Sequence, residues 1–208
     1  MNFFGHAVVA SWQDPDASHV LGSMLPDFES MTRVALVEVL DADIQRGIDT
    51  HHQTDDVFHR APTFLRLCAY AVESLDEASV RRGTARAVGH IATEMFLDGL
   101  LASRTGNVDH YLAALDVGTA DAIHWADGGE AFGVLHARLK KWGAPVDYHD
   151  PTFVLARLEG ALRQSPKLAI TTDDYPRVAR CLPSVREEVR LRAEELLDEV
   201  QDGLSCAS

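Results

Sequence analysis

Gly47-Ile48-Asp49-Thr50-His51-His52-Gln53-Thr54-Asp55-Asp56-Val57-Phe58-His59 sets His51, Asp55 and His59 at four-residue steps. On a helix these three fall within about 80° of one another around the axis and form one polar stripe of metal-ligand residue types. The stripe covers about 12 Å along the axis, so its three members cannot easily bind one ion. Either two adjacent members chelate with help from other helices, or the stripe runs along an elongated or two-metal site. The competing reading is a solvated polar face, because His52 and Asp56 make the neighbouring faces polar as well.

A second segment, His90-Ile91-Ala92-Thr93-Glu94-Met95-Phe96-Leu97-Asp98, repeats the spacing with His90, Glu94 and Asp98. Here the surroundings are apolar: Ile91, Met95, Phe96, Leu97, Leu100 and Leu101 wrap most of the helix. The polar residues are therefore expected to face inward or into a cleft. Burying two carboxylates without a counter-charge costs several kcal/mol, and a metal ion is the simplest compensation. A salt bridge to Arg86 or Arg104 is the alternative. Two such stripes in one small chain point to a metal-centred site rather than a binding scaffold.

Outward from these segments the pattern is helical almost throughout, without sustained period-two alternation. Asp14-Pro15 opens a helix expected to end at Leu25, before Pro26. Residues 31–59 read as one long helix or two with a break near Gly47. Pro62 starts another, Asp76 is expected to cap the next, and 108–115 fit a short helix. Gly118 to Gly129 reads as a loop, followed by an amphipathic helix from Glu130 to Lys141. Asp150-Pro151 opens a helix to about Gln164, and Pro183 a last one to about Val200. The expectation is a single all-α domain, a helical bundle over residues 1–202, with a short frayed tail at 203–208.

With 208 residues, 46% of them apolar, one large domain is more economical than two small ones. No run approaches the roughly 18 apolar residues of a membrane span. Met1 to Ala10 is apolar but has neither a basic start nor a cleavage site, so it does not read as a signal peptide. Cys68, Cys181 and Cys206 are odd in number and far apart, which suits a reducing cytoplasm and argues against a thiolate metal site. The net charge of -13 argues against nonspecific binding to nucleic acid or an anionic membrane. Basic residues cluster at Arg81, Arg82 and Arg86 and at Arg138, Lys140 and Lys141. The plain reading of each is a solvated helix face, and the sharper one a docking patch for an acidic partner.

Taken alone, His6 reads as a satisfied core histidine, and Asp27, just after Pro26, equally as a helix cap. The His149-Asp150 pair is better explained by Asp150 capping the helix behind Pro151 than as a metal dyad. P-loop, dinucleotide-binding and serine-elbow motifs are lacking.

In order along the chain, Met1-Asn2-Phe3 with His6 matches an MNFxxH start. Gly22-Ser23-Met24-Leu25-Pro26-Asp27-Phe28 resembles GNLLxDF. Gly47-Ile48 with His51 and Asp55 matches GIxxHxxID, and Glu94 with Asp98 resembles DxxxDH. Late in the chain, Phe153-Val154-Leu155 through Arg163, Pro166, Lys167 and Leu168 resembles an RxPxL helix end. These elements resemble the acyl carrier protein phosphodiesterase family, also called ACP hydrolase, which is similar to the wider HD-type helical metal-dependent phosphohydrolases. Ser23 stands where the family has Asn, Thr54 replaces an Ile, and Phe58-His59 stands for Thr-Asp. Glu94 replaces an aspartate, and Gly99 occupies a histidine position.

The resemblance implies an all-α bundle of the HD type that hydrolyses the phosphodiester joining 4′-phosphopantetheine to an acyl carrier protein serine. It implies a divalent cation, Mn²⁺ first, held by Asp27, His51, Asp55 and Asp98 with Glu94 as a further ligand. Oxygen and imidazole donors also suit Mg²⁺ or Fe²⁺ over structural zinc. His6, His59 or His90 would move protons. The implied partner, an acyl carrier protein, is acidic, so docking would use Arg81, Arg82 and Arg86 or Arg138, Lys140 and Lys141. Two other readings stay open: a phosphohydrolase for a small nucleotide or phosphoester, and a non-catalytic helical protein that kept the fold and lost the site.

Overall fold

Apolar residues at helical spacing fill the first thirty positions, and they build two helices. The computed structural model describes residues 1–118 and 122–207. Helix α1 (Phe3–Gln13) is buried from Phe3 through Ala10. Helix α2 (Ala17–Thr32) starts on the Asp16 carboxylate, which accepts from the amides of Ser18 and His19 at 2.9 and 3.3 Å. That satisfies two of the amide donors left over at a helix start. The expected stop at Leu25 does not occur. Pro26 forfeits only the bond its amide would have given the Gly22 carbonyl, while Phe28 beyond it is fully buried, so packing carries the helix on. Asp27 thus lies inside a helix and not at the start of one.

Residues 33–41 are not helical, contrary to the expectation for 31–59. Strand β1 (Leu36–Val39) pairs antiparallel with β2 (Ile123–Trp125), with an irregularity between Leu36 and Glu38. Four residues with two exposed in the middle carry no alternation long enough to read. Strand β2 falls in the stretch expected to loop, of which residues 119–121 lie outside the described residues. Helix α3 (Ala42–Phe58) then runs through Gly47 without a break.

The remaining helices are α4 (Pro62–Glu77), α5 (Arg82–Ala102), α6 (Thr105–Leu115), α7 (Glu130–Trp142), α8 (Pro151–Leu162) and α9 (Tyr175–Ala207), with a 3₁₀ turn at Val146–His149. Asp76 ends up in the last turn of α4 instead of capping α5. Asp150 caps α8 as expected, its carboxylate accepting from the Thr152 amide at 2.8 Å. Pro183 lies inside α9, because buried Val178, Leu182, Val185, Val189, Leu196, Val200 and Leu204 carry one apolar stripe past it. The same stripe takes α9 through the residues expected as a frayed tail, as far as Ala207. Among the described residues the fold is all-helical apart from the short ribbon, and no described helix is long and apolar enough to cross a membrane.

The chain divides into two compact units, each assembled from two stretches. The first comprises Met1–Asp56 and Leu101–Pro145. Its core joins α1, α2 and α6, with Tyr111 edge-on to Phe4 at 5.1 Å. Within it, α2 and α3 touch backbone to backbone. A Cβ on Gly22 would fall onto the Ile44 carbonyl, and one on Gly47 onto the His19 carbonyl. The second unit comprises Val57–Leu100 and Val146–Ser208, with α4 packed along α9. There Asp174, only 2% exposed, receives Arg81 Nε at 2.9 Å and the Thr171 hydroxyl at 2.7 Å. Burial alone would raise its pKa, but these hydrogen bonds outweigh it and hold the carboxyl below its ordinary range.

Gly47→Ala has only backbone to displace and lowers stability by about 3 kcal/mol. Gly160→Ala on α8, where an added Cβ meets nothing within 4 Å, raises it by about 0.5–1 kcal/mol. Thermal and urea unfolding of the two variants check this, and equal effects would refute the contrast. Asp174→Asn costs about 1–3 kcal/mol at neutral pH. Because the folded pKa is depressed, that stabilisation is present above the ordinary carboxylate pKa and lost as pH falls through the folded value. The variant's acid unfolding curve is therefore shallower than the parent's.

Candidate functional site

In the first unit, His51 belongs to α3 one turn beyond Gly47, and its Nδ1 donates to the Ser23 carbonyl at 2.8 Å. A carbonyl only accepts, so this bond fixes the tautomer and leaves Nε2 with its lone pair. His6 from α1 stacks on the His51 ring, centroids 3.8 Å apart. Asp27 from α2 completes the group, and the three offer ligand atoms that all lie within 4.8 Å of one another. His6 and His51 are buried, Asp27 half-buried. Asp55, one turn after His51, lies against the same two rings. Its Oδ1 is 3.1 Å from His6 Nε2 and 2.9 Å from the Met1 ammonium, and its Oδ2 is 3.8 Å from His51 Nε2.

Burial and the adjacent His6 charge lower the His51 pKa to about 3, against the weaker pull of the Ser23 carbonyl and Asp55. A neutral imidazole with a free lone pair is the state a metal requires. Burial raises the Asp55 pKa, but His6 and the Met1 ammonium more than offset that and keep it well below the usual carboxylate range. Two imidazoles and a carboxylate, with a second carboxylate beside them, suit a divalent transition ion of intermediate hardness.

The second unit brings together a different group. Helix α3 ends at Phe58, so His59 sits just past it, where its ring meets Phe58 and Phe64 edge-on at 5.3 and 5.4 Å. Glu94 of α5 receives His59 Nε2 at 3.2 Å and His90 Nε2 at 3.1 Å, both on Oε1. Glu94 is thus met by two histidines, where the alternative reading of the sequence had Arg86 or Arg104. Burial raises the Glu94 pKa, yet the two histidine hydrogen bonds outweigh it and hold the carboxyl far below its usual range. His90 is pushed up to about 10, first by its hydrogen bond with Cys68 and then by Glu94.

Asp98, the next residue along that stripe, is fully buried. Its carboxylate adds to the effect of burial in raising the Tyr148 phenol. Gly99, the residue after Asp98, has no room for a side chain, because an added Cβ would lie 2.7 and 2.8 Å from the Tyr148 and His149 backbone.

Of the five residues expected as ligands, Asp27 and His51 come together, with His6, expected to move protons, as third member. Asp55 flanks that group. Glu94 groups with His59 and His90, both expected as proton carriers, and Asp98 belongs to neither group of three. The signal for His6 in the sequence is its place as the one ionisable side chain within the apolar run Phe3 to Ala10. The Cys68–His90 contact carried none, since their separation in sequence has no motif. Comparisons with protein-family models, curated proteins and solved structures return no match for this chain.

Proposed function

We propose that the chain is a metal-dependent phosphodiester hydrolase whose ion is held by His6, Asp27 and His51, with Asp55 beside them. The observation that carries this reading is the His51 Nδ1 bond to the Ser23 carbonyl, which leaves Nε2 as the nitrogen with a lone pair on a ring grouped with His6 and Asp27. The donor set fits Mn²⁺, Mg²⁺ or Fe²⁺. When bound, such an ion lowers the pKa of water and neutralises charge developing on phosphoryl oxygens. The chain's own contribution is positional. The Ser23 carbonyl orients His51, Asp55 orients His6, and the burial of both rings keeps bulk water from competing for their nitrogens. Asp98 and Glu94 are not carried into this ligand set.

The sequence resemblance supports holo-acyl carrier protein as the substrate, with Mn²⁺ as the ion and phosphopantetheine as the group released. Docking of an acidic carrier is assigned to Arg82 with Arg86, or to Arg138 with Lys141. The other two members of the basic clusters have partners already: Arg81 is tied to Asp174, and Lys140 Nζ lies 2.5 Å from Asp116.

Incubating metal-stripped protein with Mn²⁺ and holo-acyl carrier protein, followed by mass spectrometry, is expected to show loss of the phosphopantetheine mass. Asp27→Ala should slow that loss by at least about 100-fold. Cleavage of a nucleotide or small phosphoester with the carrier untouched would replace the substrate assignment. No hydrolysis of either by Mn²⁺-loaded protein would refute the reading. Charge reversal in the productive patch, Arg82→Glu with Arg86→Glu or Arg138→Glu with Lys141→Glu, raises KM for the carrier about tenfold while kcat and metal content stay constant. An unchanged KM in both double variants would exclude these surfaces.

A further inference from the structure

We infer that His59, His90 and Glu94 form a second metal site, of the open four-coordinate type that zinc(II) adopts with two imidazoles and a carboxylate. The inference uses none of the residues assigned to the hydrolytic ion and stands or falls separately from that reading.

Its basis is geometric. In a tetrahedral site with bonds of about 2.0–2.2 Å, neighbouring ligand atoms lie roughly 3.3 Å apart. His59 Nε2 and His90 Nε2 lie 3.2 and 3.1 Å from the same Glu94 oxygen, and all three ligand atoms fall within 4.8 Å of one another. Balancing one carboxylate takes one imidazolium. Here two rings from separate segments turn the same nitrogen toward one oxygen, which is the convergence a shared ion produces.

The rings are also held in place. Phe64 meets both edge-on, His59 at 5.4 Å and His90 at 5.3 Å, and the two imidazoles stack with centroids 5.3 Å apart. Preset ring orientation lowers the entropy lost on coordination. Glu94 is 12% exposed, whereas His59 and His90 are 35% and 46% exposed, so the carboxylate is anchored and the imidazole side is open. His90 further lines an open cavity of about 590 Å³ together with Cys68, Arg86 and Glu73. Three protein ligands with an approach from solvent match the layout of zinc sites that keep one position for water or substrate.

The test is cobalt(II) titration of the full-length, metal-stripped protein, because four-coordinate cobalt absorbs intensely in the visible and six-coordinate cobalt only weakly. One equivalent is expected to give the intense spectrum, and zinc(II) should displace it. His59→Ala with His90→Ala should abolish the spectrum and weaken zinc binding by at least about 100-fold, with unchanged circular dichroism. Glu94→Gln, which keeps size and shape, should do the same and decides the matter where the double variant does not fold. Asp27→Ala should retain the spectrum while losing hydrolysis, so failure of the hydrolytic reading and failure of this one are told apart. The site is refuted by a titration without the intense spectrum, by its persistence at parent affinity in Glu94→Gln, or by its loss in Asp27→Ala.

Discussion

Backbone contact between α2 and α3 at Gly22 and Gly47 is the constraint on which the first unit depends. Without side chains at those two positions, the helices approach until each glycine lies against a carbonyl of the other helix. Ser23 follows Gly22 directly, and His51 lies one turn beyond Gly47, so the His51 Nδ1 bond to the Ser23 carbonyl is made at the same crossing. Any residue with a Cβ at either glycine would separate the helices and lengthen that bond. Helix packing and ligand orientation are therefore one requirement here. The tautomer of His51 follows from how closely two backbones can pack.

The residues that set this sequence apart from the pattern it resembles have particular surroundings. Gly99 admits no side chain, because the Tyr148–His149 backbone occupies the volume one would need. On the same helix, Glu94 has a methylene more than an aspartate would, and its Oε1 reaches two imidazoles, one from its own helix and one from the end of α3. His59 supplies the second of these. An acid there would face Glu94 and leave two like charges on a buried oxygen pair, whereas an imidazole removes the conflict.

The helical fold was legible because nearly every helix has an apolar stripe, and apolar periodicity reports burial directly. What misled were local signals overruled by packing. Pro26 and Pro183 each remove a single backbone bond, and Phe28 and the Val178–Leu204 stripe outweigh that loss. The ribbon of β1 and β2 was illegible because strands of four and three residues offer no period to detect. For the site, residue types were legible and partnership was not. Four-residue spacing put His51, Asp55 and His59 on one stripe, but α3 ends at Phe58, and His59 turns to Glu94 instead. Spacing describes a helix only while the helix lasts. His6 was the reverse case: alone in sequence, it acquires partners only when α1 lays its ring on His51.

The carrier proposed as partner is acidic, as is this chain with its 19 basic and 32 acidic residues. Their net charges repel, and salt screens that field beyond a Debye length of about 8 Å, so it supplies no long-range attraction. Recognition must then act at short range, where individual side chains outweigh net charge. Each basic cluster has given up one member, Arg81 to the buried Asp174 and Lys140 to Asp116. The remaining pairs are exposed and lie one turn apart, Arg82 with Arg86 on α5 and Arg138 with Lys141 on α7. One-turn spacing puts both cations of a pair on the same helix face. Either pair therefore offers an acidic helix a two-point contact, whose strength depends on fit at close approach and not on the field of the whole protein.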